Sequence, residues 1–147
     1  MYEEIPKTRK DFLVKDFSRG FIEYCQFKTE IIKKGYFQSG VRIKKHHRQQ
    51  DGFIHAGVMA TMADHTAGYS AFTIVDENFQ ILTVEFKINF LRPAFGDALV
   101  CRSKVIRDGS QIIIAESEVF DIRGKEETLA AKAMVTLMAV NKNKFKK

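Results

Sequence analysis

Residues 55–72 read HAGVMATMADHTAGYSAF, and this stretch decides the fold. It has the length and texture of a buried helix, expected from about Ala56 to Val75. Gly57 and Gly68 each weaken a helix by about 1 kcal/mol relative to alanine, so tertiary packing must hold it. Small residues also let a helix approach a sheet closely. The run is apolar nearly all round and therefore needs a second surface beyond its own sheet, which a second subunit can supply. Near its middle stands one carboxylate, Asp64, between Ala63 and His65. That acid, the hydroxyls of Thr61, Thr66 and Ser70, and the imidazoles of His55 and His65 argue against a membrane span over residues 53–75.

The flanks read mostly as strands. HHRQQDG (46–52) is a polar loop in which Asp51-Gly52 is turn chemistry. Before it, GFIEYCQFKTEIIKKG (20–35) reads as one strand and YFQSGVRIKK (36–45) as a second, joined in a hairpin at Gly35. TRKDFLVKDFSR (8–19) reads as a short leading helix. After the helix, FQILTVEFKINFLRP (79–93) alternates Leu82, Val84, Phe86, Ile88 and Phe90 with Thr83, Glu85, Lys87 and Asn89, and ends at Pro93. DALVCRSKVIRDGSQIIIAESEVFD (97–121) gives two strands about Asp108-Gly109, and Arg123-Gly124 turns into a last strand, EETLAAKAMVTLMAVN (126–141). The fold class expected is α+β: an antiparallel sheet of five to six strands with one long helix on its face.

Composition bounds the rest. The 147 residues suit a single domain, 1–147, with a short leading segment (1–19) and a basic tail (141–147) expected to fray. The net charge is +6, with basic residues in KTRK, IKKHHR and NKNKFKK. No nucleic-acid motif accompanies that charge, so it reads as a solvated surface, or as a field that attracts a phosphorylated small molecule. Arg92, Lys132 and the tail lysines are candidates for phosphate contacts, and charge alone does not choose among them. Cys25 and Cys101 lie far apart with no metal-ligand spacing, which fits reduced thiols in a cytoplasmic protein. MYEEIPKTRK is too polar for a secretory signal.

Two stretches together, HHRQQDGFIHAGVMATMADHTAGYSAF (46–72) and LTVEFKINFLRPAFGD (82–97), resemble the hotdog-fold acyl-CoA thioesterases of the PaaI / acyl-CoA thioesterase 13-like group. The likeness extends over about residues 20–140. It implies a hotdog fold, in which the sheet wraps the central helix, working as a homodimer or a dimer of dimers on an acyl-CoA. No cofactor, metal, nucleic acid or membrane is implied. Residue by residue, His47 and Gln49 match the loop positions, His55-Ala56-Gly57 matches the family's His-Gly-Gly, and Asp64 matches its catalytic acid. Thr83 matches a Ser/Thr that helps place water. Ala56 departs from the first Gly of the pattern, and Gln49 stands where many members have Asn.

The chemistry expected follows from these matches. Amides at a helix start are unpaired and carry the positive end of the dipole, so the Gly57 N–H is the expected donor to the thioester carbonyl. The plain alternative is a glycine kept for tight packing. Asp64 is the expected general base or nucleophile, or else a structural acid. Gln49 and Thr83 would assist, binding carbonyl or water. His55 and His47 would lie at the substrate, though an entry-loop packing role suits His55 as well. Gly57 and Asp64 are seven residues apart on one face, about 10 Å along the axis. One carbonyl cannot meet both comfortably, so the spacing points to a site shared between antiparallel helices of two subunits. An acyl-thioester hydratase or dehydratase on the same fold, and a non-catalytic acyl-CoA-binding protein, are the alternatives.

Overall fold

The computed structural model describes residues 1–146. In chain order it runs α1 (Lys7–Phe17), α2 (Phe21–Cys25), β1 (Lys28–Lys33), β2 (Tyr36–Arg42), α3 (Ala56–Phe72), β3 (Phe79–Phe90), β4 (Ala98–Asp108), β5 (Ile112–Arg123) and β6 (Glu126–Asn141). The six strands form one antiparallel sheet in the order β1-β2-β4-β5-β6-β3. The helix α3 packs on it, touching β2, β3, β4, β5 and β6. This is the α+β hotdog arrangement that the pattern implied. Of the basic tail, Lys142–Phe145 forms a 3-10 turn, and Lys147 lies outside the described residues. No helix among the described residues is long and apolar enough to cross a membrane.

Alternation explains the sheet. On β5, buried Ile113, Ala115, Ser117, Val119 and Asp121 alternate with half-buried neighbours. On β6 the buried set is Ala130, Ala131, Ala133, Val135, Leu137 and Ala139. Alanines at these points leave room for α3, whose own buried face includes Met59, Met62, Ala63, Ala67 and Ala71. Between helix and sheet runs a buried hydroxyl chain. Ser117 Oγ donates to the Ala63 carbonyl at 2.7 Å. Ser103 Oγ lies 2.5 Å from Ser117 Oγ and must donate to it, because the Ser117 hydrogen is already committed. The chain ties the helix to β5 and β4 one residue before Asp64.

Four expectations change. Residues 20–35 are not one strand, because Phe21–Cys25 closes a helical turn between Gly20 at φ 62° and Gln26 at φ 64°. The strand begins only at Lys28, and Cys25 sits on the turn rather than in a strand. The helix α3 stops at Phe72 rather than Val75, where Arg9 Nη2 donates to the Phe72 carbonyl at 3.0 Å. His47, in the loop read as polar, is buried. Most consequential is β3. Its register against β6 slips between Thr83 and Glu85, leaving Val84 as the extra residue of a bulge. Leu82 therefore faces outward with Met138, whereas Phe86, Ile88 and Phe90 share the helix side with Val135, Ala133 and Ala131. Phe86 and Phe90 remain 37% and 46% exposed, because β3 is an edge strand of the sheet.

The leading helix docks on α3 through Phe17, which is fully buried between Phe37, His65 and Tyr69. Tyr69 Oη donates to Asp16 Oδ2 at 2.7 Å, and His65 Nε2 lies 2.8 Å from the Phe17 carbonyl. Burial holds the pKa of His65 below its ordinary 6.5, outweighing the carbonyl bond that favours the cation. His47 is lowered for the same reason. The unfolded chain therefore binds these protons first as pH falls, and stability present above about pH 6.5 is lost below it. The thermal midpoint is expected to drop between pH 7 and pH 5, and less steeply in His65→Gln. Equal slopes in the two proteins would refute this origin of the drop.

Candidate active site

The loop before α3 is built around His47. Its Nδ1 accepts the Lys44 N–H at 2.9 Å, so Nε2 carries the proton and donates to the Cys25 carbonyl at 2.8 Å. Both nitrogens are thus committed to backbone. These bonds anchor the loop to the turn at Cys25. Two residues on, Gln49 Oε1 accepts the Asp51 N–H, which leaves the Nε2 amide free to donate. Asp51-Gly52 makes the turn as its chemistry suggested, with Gly52 at φ 90°.

His55 is the N-cap of α3. Its backbone is extended (φ −60°, ψ 134°), and its Nδ1 accepts the Gly57 N–H at 2.8 Å. The Gly57 hydrogen meant for a carbonyl oxygen is already held by His55, and a Cβ at Gly57 would meet that ring at 2.9 Å. The Val58 N–H bonds back to the His55 carbonyl at 2.9 Å. Among the described residues, the first-turn amide left without a partner is therefore that of Ala56, a residue the sequence did not single out. Its signal was available, since the first helical residue has no intrahelical acceptor. Replacing the pattern's glycine by alanine here costs nothing chemically, because the group of interest is the N–H.

Gln49, His55 and Ala56 line one pocket of about 560 Å³, with apolar walls from Phe53, Met59 and Phe90. Asp64 does not line it. The acid lies eight residues beyond Ala56, about 12 Å along the axis, on the less buried stripe of α3 with Gly57, Thr61 and Gly68. There Thr83 Oγ1 donates to Asp64 Oδ1 at 2.7 Å. Thr83 comes from β3 just before the bulge, so the edge strand fixes one carboxylate oxygen. The other oxygen, Oδ2, has no hydrogen-bond partner among the described residues. The single chain thus keeps the pocket and the oriented carboxylate apart.

A family profile for the thioesterase superfamily matches residues 51–128, which include Ala56, Asp64 and Thr83. The chain belongs to that superfamily. An esterase-named protein of Saccharolobus solfataricus is 33% identical over 112 residues, covering 76% of this chain and 77% of that one. Among solved structures, a thioesterase family protein from Silicibacter pomeroyi is 30% identical, with a TM-score of 0.87 over 90% of this chain and 98% of that chain. A hypothetical thioesterase protein from Streptococcus pneumoniae, solved with coenzyme A, shares the fold at 18% identity, with a TM-score of 0.76 over 87% of this chain and 97% of that one. Membership in the superfamily assigns the chain to thioesterase-type hydrolysis.

Proposed function

We propose that the protein hydrolyses acyl-CoA thioesters at a site completed by a second subunit. The observation that carries this reading is the Thr83–Asp64 pair, a carboxylate oriented through one oxygen and open at the other, on the helix face its own sheet leaves uncovered. An antiparallel partner helix would bring its own Ala56 amide opposite this Asp64. The edge strand β3, with Leu82, Val84, Phe86 and Phe90 exposed, is a surface of the kind that pairs with a second copy. The coenzyme A in the pneumococcal relative supports that carrier.

The Ala56 N–H and the Gln49 amide would hold the carbonyl oxygen. As water attacks the carbonyl carbon, Asp64 Oδ2 takes its proton and the negative charge builds on that oxygen. Collapse breaks the C–S bond, the thiolate leaves as the thiol with the proton from Asp64, and the free acid remains. His55 would shape the helix start rather than act as base, since its Nδ1 lone pair already accepts from Gly57. Hydration or dehydration would need a second acid–base group beside the carboxylate, and the adjacent imidazole, His65, is buried against the Phe17 carbonyl. That favours hydrolysis. The wild-type protein is expected to release free thiol from at least one member of a panel of short, long and aryl acyl-CoAs. Absence of thiol release across the panel would reject the reading.

A further inference from the structure

The pocket beside Ala56 is walled by two loops, residues 49–55 on one side and 91–94 on the other. Loops move unless something ties them. Here one backbone bond joins the walls, from the Ile54 N–H to the Ala94 carbonyl at 2.8 Å. Two charged side chains outside the reacting set add the rest. Arg48 donates from Nη1 to the Gly52 carbonyl at 2.9 Å and from Nη2 to the Gly96 carbonyl at 3.0 Å. One planar guanidinium thus spans both loops at a fixed separation, which a lysine cannot do.

Asp121 fastens the second wall to the sheet. It lies on β5 and is 1% exposed. A buried carboxylate is costly unless it is paired and hydrogen-bonded, and this one is. Its Oδ1 accepts the Gly96 N–H at 2.8 Å, and its Oδ2 accepts the Phe95 N–H at 3.1 Å and Arg123 Nε at 3.0 Å. The Arg123 guanidinium also lies 3.3 Å from the Phe95 ring centroid, and Phe95 meets Phe53 edge-on at 6.2 Å. Gly96 sits so close to β5 that a Cβ there would fall 2.1 Å from the Ile122 carbonyl oxygen. The loop after β3 is therefore seated by rigid contacts on one side and measured off by Arg48 on the other.

We infer that Arg48 and Asp121 are positioning residues that set the width of this pocket, and so the range of acyl groups it accepts. For the nature of the occupant the inference rests on the thioesterase reading. Neither residue lines the pocket, so neither is expected to take part in the chemical step. Loosening the walls relaxes selection among acyl chains while leaving Asp64 and Thr83 in place.

The test compares wild type with Arg48→Gln, Arg48→Lys and Asp121→Asn across acyl-CoAs of graded length. Displacement of an environment-sensitive fluorescent fatty acid by free fatty acids of the same lengths gives a second readout that needs no turnover. The Gln and Asn variants are expected to raise KM for the preferred acyl-CoA about tenfold and to flatten the length preference, with kcat changed less than about threefold. Arg48→Lys, which keeps the charge but not the span, is expected to resemble Arg48→Gln. Wild-type KM and an unchanged length profile in folded variants would overturn the inference, as would failure of the fluorescent acid to bind wild type. If wild type binds the probe but turns over no acyl-CoA, the thioesterase reading fails, and the displacement profiles alone decide the clamp: flattened in the variants it stands, unchanged it falls.

Discussion

Asp64→Asn is expected to lower kcat for the best acyl-CoA by about 10²–10⁴-fold while leaving KM within a few-fold of wild type. That range is what a positioned general base contributes, and a nucleophilic carboxylate would lose at least as much. The substitution is nearly isosteric. An asparagine can still accept the Thr83 hydroxyl through its carbonyl oxygen, so the contact made at 2.7 Å is retained. What it cannot do is take a proton from water at the position of Oδ2. Thr83→Val separates orientation from proton transfer, because it frees the carboxylate without neutralising it. Its expected loss is smaller, about tenfold, in line with one lost hydrogen bond to a charged group. Steady-state kinetics of both variants, alongside circular dichroism and size-exclusion profiles, makes the comparison. An Asp64→Asn variant as active as wild type would remove the acid from the mechanism altogether.

The sequence carried the architecture because its strongest signals are local. The apolar run with Asp64 at its centre needs only its own residues to announce a helix. The alternation on β3 and the turn pairs Asp51-Gly52, Asp108-Gly109 and Arg123-Gly124 announce strands in the same way. The failures all depend on contacts between distant segments. The bulge at Val84 is set by pairing with β6, and it turns Leu82 to the opposite side from Phe86, Ile88 and Phe90. Strict alternation in the sequence had placed all of them on one side. The short helix at Phe21–Cys25 is bounded by two residues of positive φ, one of them Gln26, a type that does not advertise that conformation. At the site, the family resemblance singled out Asp64 and Thr83, but their direct bond was not legible. The cap on Gly57 depends on the rotamer of His55, and the burial of His47 depends on the turn at Cys25, 22 residues earlier. Asp121 was invisible for the same reason, because its partners at Phe95 and Gly96 come from another connection.

The separation of the pocket from Asp64 has a consequence that one experiment can decide. Ala56 is the first residue of α3, where proline is favoured because no intrahelical bond is lost there. Its predecessor His55 already has the extended backbone that a following proline requires. Ala56→Pro therefore deletes the free amide hydrogen while the helix start is kept, and Ala56→Gly restores the hydrogen as a control. Loss of one oxyanion donor is expected to cost about 10²–10³-fold in kcat, with the glycine variant near wild type. The two disabled proteins, Ala56→Pro and Asp64→Asn, are then co-expressed or refolded together. In a two-fold dimer with shared sites, each hybrid has one site carrying both defects and one site carrying neither. Random mixing makes half of the dimers hybrids, and half of their sites are intact, so activity is expected to recover to about a quarter of wild type. If each chain instead built its whole site alone, every site in the hybrid would carry one defect and mixing would restore nothing. A mixture no more active than its parents would therefore return Asp64 and the Ala56 amide to a single subunit, and a recovery near one quarter would require that the acid on one helix serves the amide on the other.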